Sequence, residues 1–159
     1  MRLRVSLPEQ TLTVLDEQGQ VVRVYPVSTA AHGAGEERGS HCTPRGLHVV
    51  RARIGAGLPL DSVLVGRRPT GEVYTRELGL AAPERDWILS RILWLSGREP
   101  GYNRLGSCDT MRRYIYIHGT PDEAFEQAPR SQGCIRMRNA DLITLFDQTP
   151  VGTPVDIVA

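Results

Sequence analysis

Cysteine is scarce in this 159-residue chain: Cys42, Cys108 and Cys134 are the three there are, and none forms a CxxC pair. An odd number without short spacing excludes a disulfide framework and a zinc ribbon, and free thiols suit a reducing compartment. A zinc site built from His41, Cys42, His118 and a further Cys fails on the same ground, since no pair has the usual ligand spacing. Charge of one sign is also lacking. Lys and Arg number 19 against 18 Asp and Glu, for a formal net charge of +1, which excludes the positive field that phosphate-backbone binding needs; nucleic acid is not an expected partner. No apolar run approaches the eighteen or so residues of a membrane span.

What is present points to a turn-rich globular protein. Sixteen Gly and eleven Pro accompany 40% hydrophobic and 23% charged residues, a balance that leans towards β structure. The length suits one domain, residues 1–159, able to bury roughly two thirds of its unfolded surface. The opening Met-Arg-Leu-Arg-Val-Ser-Leu-Pro-Glu-Gln alternates apolar and polar residues and so reads as a strand, not a leader. The expectation that follows is a leaderless, cytoplasmic protein.

Along the chain, 2–6, 10–15 and 20–27 are expected as three antiparallel strands separated by Pro8-Glu9 and Asp16-Glu17-Gln18-Gly19 turns. A Gly-, Ser- and His-rich loop at 30–46 ends in Thr43-Pro44-Arg45-Gly46 and leads into a β-branched run at 47–53. Weak strands are expected near 62–65 and 72–75, a buried strand at 86–95, and a Tyr/Ile-rich strand at 111–118 delivering His118 at its C-terminal end. Short helices are expected at 121–127 and 139–147, and a last strand from Pro154 to Val158. Trp87, Trp94 and one of Tyr114 and Tyr116 are expected in the core. No repeat or linker divides the chain.

The chemistry concentrates in His118-Gly119-Thr120 and in Ser131-Gln132-Gly133-Cys134-Ile135-Arg136-Met137. A thiol near its free pKa is mostly protonated at neutral pH, so a nucleophilic cysteine needs an imidazole or another positive partner within hydrogen-bond reach. His118 is that candidate base for Cys134. Gly133 lets the backbone bend to present the sulfur and to aim neighbouring N–H groups at a developing oxyanion, and Gly119 permits close approach beside the base. Arg112, Arg113, Arg130, Arg136 and Arg138 flank the segment and suit a carboxylate-bearing substrate. Thiol, imidazole and backbone donors complete an acyl-transfer set, so neither metal nor organic cofactor is expected.

Together the His-Gly strand and the Ser-x-Gly-Cys-Ile-Arg-Met segment resemble the YkuD-type L,D-transpeptidase catalytic domain. The likeness extends to Thr43-Pro44-Arg45-Gly46, Gly101-Tyr102-Asn103, Leu145-Phe146-Asp147 and Gly152-Thr153-Pro154-Val155, nearly the whole chain. It implies a mainly β, sandwich- or barrel-like domain with a few short helices. It also implies that Cys134 attacks an L-centre carbonyl in a peptidoglycan stem tetrapeptide and expels the terminal D-Ala, while His118, oriented by the Gly119 carbonyl, shuttles the proton. Arg136 holds a position where the family has Arg or Asn, and supports the cysteine loop or binds a substrate carboxylate; Ser131, Gln132 and Tyr116 are the other candidate substrate contacts. Gln132 departs from the His that many members carry there. With no leader expected, the reading is an L,D-carboxypeptidase trimming recycled tetrapeptides or muropeptides. Transpeptidation to an amine is the alternative, and an inactive muropeptide-binding sensor the second.

Overall fold

The computed structural model describes residues 1–159. Strands β1 (Arg2–Ser6), β2 (Thr11–Leu15) and β3 (Val21–Ser28) form an antiparallel meander. Its alternation decides its facing: Leu3, Val5, Leu12 and Val14 are all buried, with Leu3 opposite Val14 and Val5 opposite Leu12. The turn into β3 is closed by Asp16, whose Oδ1 accepts from the backbone N–H groups of Gln18 and Gln20.

The remaining strands are β4 (Gly46–Ile54), β5 (Ser62–Val65), β6 (Arg68–Val73), β7 (Ile88–Gly97), β8 (Tyr116–Thr120), β9 (Ile135–Arg138) and β10 (Pro154–Val158). They pair in the order β4-β10-β1-β2-β3-β9-β8-β7-β5-β6, and an extra β4–β7 pairing closes the first eight into a barrel-like ring. β1–β10 and β8–β9 are parallel. Helix α1 (Arg76–Ala81) follows the β5–β6 extension, and α2 (Asn139–Gln148) lays Leu142, Leu145 and Phe146 into the main 18-residue core. Each such side chain contributes roughly 1.5–3 kcal/mol on burial. The fold is the mainly β, barrel-like domain with short helices expected from sequence.

Three local expectations are corrected and one unexpected helix is added. Residues 111–118 are not one strand: Met111–Arg113 form a 3-10 turn, Tyr114 sits in the left-handed region at φ 57°, and only Tyr116–Thr120 is strand. His118 therefore lies in mid-strand. The helix expected at 121–127 is a single 3-10 turn at Asp122–Ala124, the strand expected at 72–75 instead starts at Arg68, and α1 was not foreseen. Trp87 and Tyr116 are buried, Trp94 is half-buried and Tyr114 is exposed. No helix is long and apolar enough to cross a membrane.

Candidate active site

The parallel register of β8 and β9 sets Ile117 beside Ile135 and His118 beside Arg136. Ile117, Ile135 and Met137 face the main core. By the two-residue period, Tyr116, His118 and Arg136 project from the opposite face, where Cys134, just ahead of β9, packs against a small cluster of Leu64, Ile92 and Tyr116.

His118 is completely buried. Its Nδ1 lies 2.8 Å from the Gly119 carbonyl oxygen. A carbonyl only accepts, so Nδ1 carries the proton and Nε2 presents a bare lone pair. Nε2 has no hydrogen-bond partner. Burial pushes the imidazole pKa below its usual value, outweighing the upward pull of Asp86 and the Gly119 carbonyl. The ring is thus a neutral base in a fixed tautomer.

The Cys134 thiol donates to the Tyr114 carbonyl and accepts from the Tyr116 N–H, both at 3.4 Å. Burial pushes its pKa up to about 12, against the smaller lowering influence of the Tyr116 N–H, Arg136 and Arg113. Thiol and imidazole share a sheet face without hydrogen-bonding to each other, and neither is ionised at rest. Proton transfer must therefore accompany attack on a bound carbonyl.

The backbone around both groups is tightly constrained. Opposite His118 and Gly119, β7 carries a bulge between Leu89 and Ile92, with buried Ser90 at φ 68°. Ser90 Oγ accepts from the Asp61 N–H at 2.9 Å, and Asp61 in turn accepts from Asn139 Nδ2 at 2.9 Å. A Cβ on Gly119 would stand 2.8 Å from the Leu89 carbonyl oxygen, so only glycine fits there. Gly133, at φ 130°, would place a Cβ 3.1 Å from Ile115 Cδ1 and 3.2 Å from the Cys42 carbonyl oxygen. Thr43 Oγ1 donates to the Gly133 carbonyl at 2.9 Å and accepts from the Ala30 N–H at 3.0 Å, fastening the long 30–46 loop to the cysteine turn.

Two of the four expected substrate contacts, Ser131 and Tyr116, take other places, while Arg136 and Gln132 line clefts. Ser131 is 2% exposed, donates to the Cys134 carbonyl at 2.6 Å and accepts from the Gly133 N–H; it braces the turn and does not face a cleft. That bond also engages the Gly133 N–H, the donor expected to serve an oxyanion. Tyr116 is 5% exposed with its hydroxyl accepting from Arg67 at 2.9 Å, so it forms the floor behind the sulfur. Arg136 donates to Asp86 at 3.1 Å, and its Nε is buried without a partner. Gln132 is exposed and stands between two clefts, of about 340 Å³ and about 300 Å³.

Sequence reasoning missed Asp86, Arg67 and Ser90, whose roles depend on pairings 50, 49 and 29 residues away. Thr43 was visible only through its Thr-Pro-Arg-Gly context. Cys42 directs its thiol to the His32 and Ser40 carbonyls, and Cys108 to that of Leu105. No group of three His, Cys, Asp or Glu is arranged to hold a metal ion.

Residues 1–157 match the family model of the L,D-transpeptidase catalytic domain, YkuD. The chain belongs to that family. Over 46 residues it is 50% identical to the probable L,D-transpeptidase ErfK/SrfK of Escherichia coli K12, a match covering 29% of this chain and 15% of the relative. Among solved structures it is similar to the L,D-transpeptidase of Xylanimonas cellulosilytica (TM-score 0.56, 21% identity, 98% of this chain and 59% of that one). It is also similar to L,D-transpeptidase 3 of Mycobacterium tuberculosis, solved with a faropenem-derived adduct (TM-score 0.57, 17% identity, 99% and 59%). The chain thus spans less than two thirds of the length of these relatives.

Proposed function

We propose that this chain is a cysteine-dependent enzyme that cleaves the terminal D-Ala from peptidoglycan stem tetrapeptides through a Cys134 thioester. One observation carries the reading: an orphaned, uncharged His118 Nε2, its tautomer set by the Gly119 carbonyl, on the same sheet face as the Cys134 thiol. Sγ attacks the carbonyl carbon before the D-Ala while Nε2 takes the thiol proton. The tetrahedral adduct collapses, the C–N bond breaks, and the leaving amine recovers that proton from Nε2. Water, deprotonated by the same nitrogen, then cleaves the thioester and restores the thiol.

The three cysteines are all free, which supports a reducing compartment such as the cytoplasm. A cytoplasmic enzyme would meet soluble muropeptides, and water as acceptor needs no binding site. Transfer to an amine is the second reading. It is favoured by the larger cleft beyond His118, lined by both signs of charge: Arg85, Arg130 and Arg136 with Glu84, Asp86 and Glu126.

The test is to incubate the protein with a disaccharide tetrapeptide and follow mass. Loss of D-Ala is expected, abolished in Cys134→Ala. Cross-linked dimers or D-amino-acid exchange as the dominant products would establish the amine acceptor instead, and an unchanged but bound ligand would make the chain a sensor. Full turnover by Cys134→Ala would overturn the mechanism.

A further inference from the structure

The second cleft, about 300 Å³, has no place in the reaction as derived above. It is lined by Arg38, His41, Arg112 and Arg113 together with Gly39, Tyr114, Ile115 and Gln132, and no carboxylate lines it. Carboxylates lie nearby but are directed elsewhere: Glu36 to Arg45, Glu37 to Ser107, and Asp109 to the N–H groups of Leu105 and Arg112. Arg113 is likewise engaged, donating to the Cys42 and Gly35 carbonyls at 2.7 and 3.2 Å. The guanidinium groups of Arg38 and Arg112 have no ionic partner, and both residues are exposed. A concave surface with two uncommitted guanidinium groups and no acid is built for a carboxylate-bearing ligand.

Its position says which part of the substrate that is. From the 3-10 turn at Met111–Arg113 into β8 the order is this cleft at 112–115, then the sulfur between Tyr114 and Tyr116, then His118, then the mixed-charge cleft at Thr120. His118 must reach the leaving amine, so the leaving group lies on the Thr120 side. The acyl half of the substrate then extends the other way. We infer that the cleft lined by Arg38, His41 and Arg112 is a carboxylate-binding subsite for the acyl half of the substrate, the segment before the scissile bond. The inference rests on the acyl transfer proposed above and adds a requirement for anionic groups on that segment.

A pair of tetrapeptides tests it, one with the carboxylates of its acyl half free and one with them amidated, both keeping the C-terminal carboxylate. The wild type should show a KM about tenfold lower for the free form, the scale of one charged hydrogen bond, and the gap should narrow at high salt. In Arg38→Ala/Arg112→Ala the two peptides should have equal KM, with kcat retained; Arg38→Lys/Arg112→Lys should keep part of the preference. Equal KM in the wild type, or an equal loss on both peptides in the double Ala variant, overturns the subsite while D-Ala release still supports the hydrolase. Calorimetry with the corresponding tripeptides separates the two ideas from the other side. Selective binding of the anionic tripeptide that the double variant loses upholds the subsite even where nothing is turned over, and absence of that binding overturns it.

Discussion

Two histidines in this molecule begin alike and end differently. His48, on β4, and His118, on β8, are both buried, and each sets Nδ1 against a glycine carbonyl: Gly46 at 2.9 Å and Gly119 at 2.8 Å. In both, burial is the largest influence and pushes the pKa down. The divergence is at Nε2. His48 Nε2 accepts from the Thr110 hydroxyl at 2.9 Å, while His118 Nε2 has no partner. A satisfied ring is structural, whereas an orphaned buried lone pair costs stability and persists where it has a reaction to serve.

The strongest way to break this contrast is to delete each ring. His118→Ala should lower kcat/KM for D-Ala release by about 10²–10⁴, the usual contribution of a positioned base. His48→Ala should leave kcat within a few-fold and lower unfolding stability by about 2–3 kcal/mol, through lost packing and an orphaned Thr110 hydroxyl. Steady-state kinetics and urea unfolding on both variants read the two axes; comparable activity losses would erase the distinction.

The similarity is tested by pH. Both rings have folded pKa values depressed below the unfolded value of about 6.5, so the stability they allow is present above that pH and lost as pH falls. Unfolding free energy should decline by up to about 1.4 kcal/mol per pH unit per histidine below pH 6.5. His118→Gln and His48→Gln should each make that decline shallower. Unchanged slopes in urea titrations between pH 5 and 7 would remove the claim of neutral burial. The smallest effect sharpens the contrast: Thr110→Val gives His48 an orphaned Nε2 too, and should cost about 1 kcal/mol in thermal unfolding while leaving turnover unchanged.

Much of the fold was legible because the signals were local. The alternation of Leu3, Val5, Leu12 and Val14 gave the first meander, and the apolar spacing of Leu142, Leu145 and Phe146 gave α2. The failures have a common cause. Residues 111–118 carry strong β propensity, yet Met111–Arg113 wind into a 3-10 turn because Asp109 captures the Arg112 N–H and Tyr114 adopts a left-handed conformation; propensity yields to tertiary context. At the site, Cys134, His118 and Gly119 are recognisable from short motifs, and their side chains and backbone do share one face. The β7 bulge at Ser90, the Asp86 partner of Arg136 and the brace from Thr43 to Gly133 depend on strands meeting at long range, and no local pattern reports them. The same limit put Ser131 and Tyr116 among substrate contacts, when one braces a turn and the other underlies the sulfur.

The closure of the ring carries a consequence for biogenesis. Because β10 is inserted between β1 and β4 and pairs in parallel with β1, the first strand cannot complete its hydrogen bonding until Pro154–Val158 has emerged from the ribosome. Vectorial synthesis therefore holds an open ring with Leu3 and Val5 short of their final neighbours, and the high sequence separation of that seam favours slow, late closure. Until β10 follows, the edges of β1 and β4 that it will join stay open to pairing with other strands.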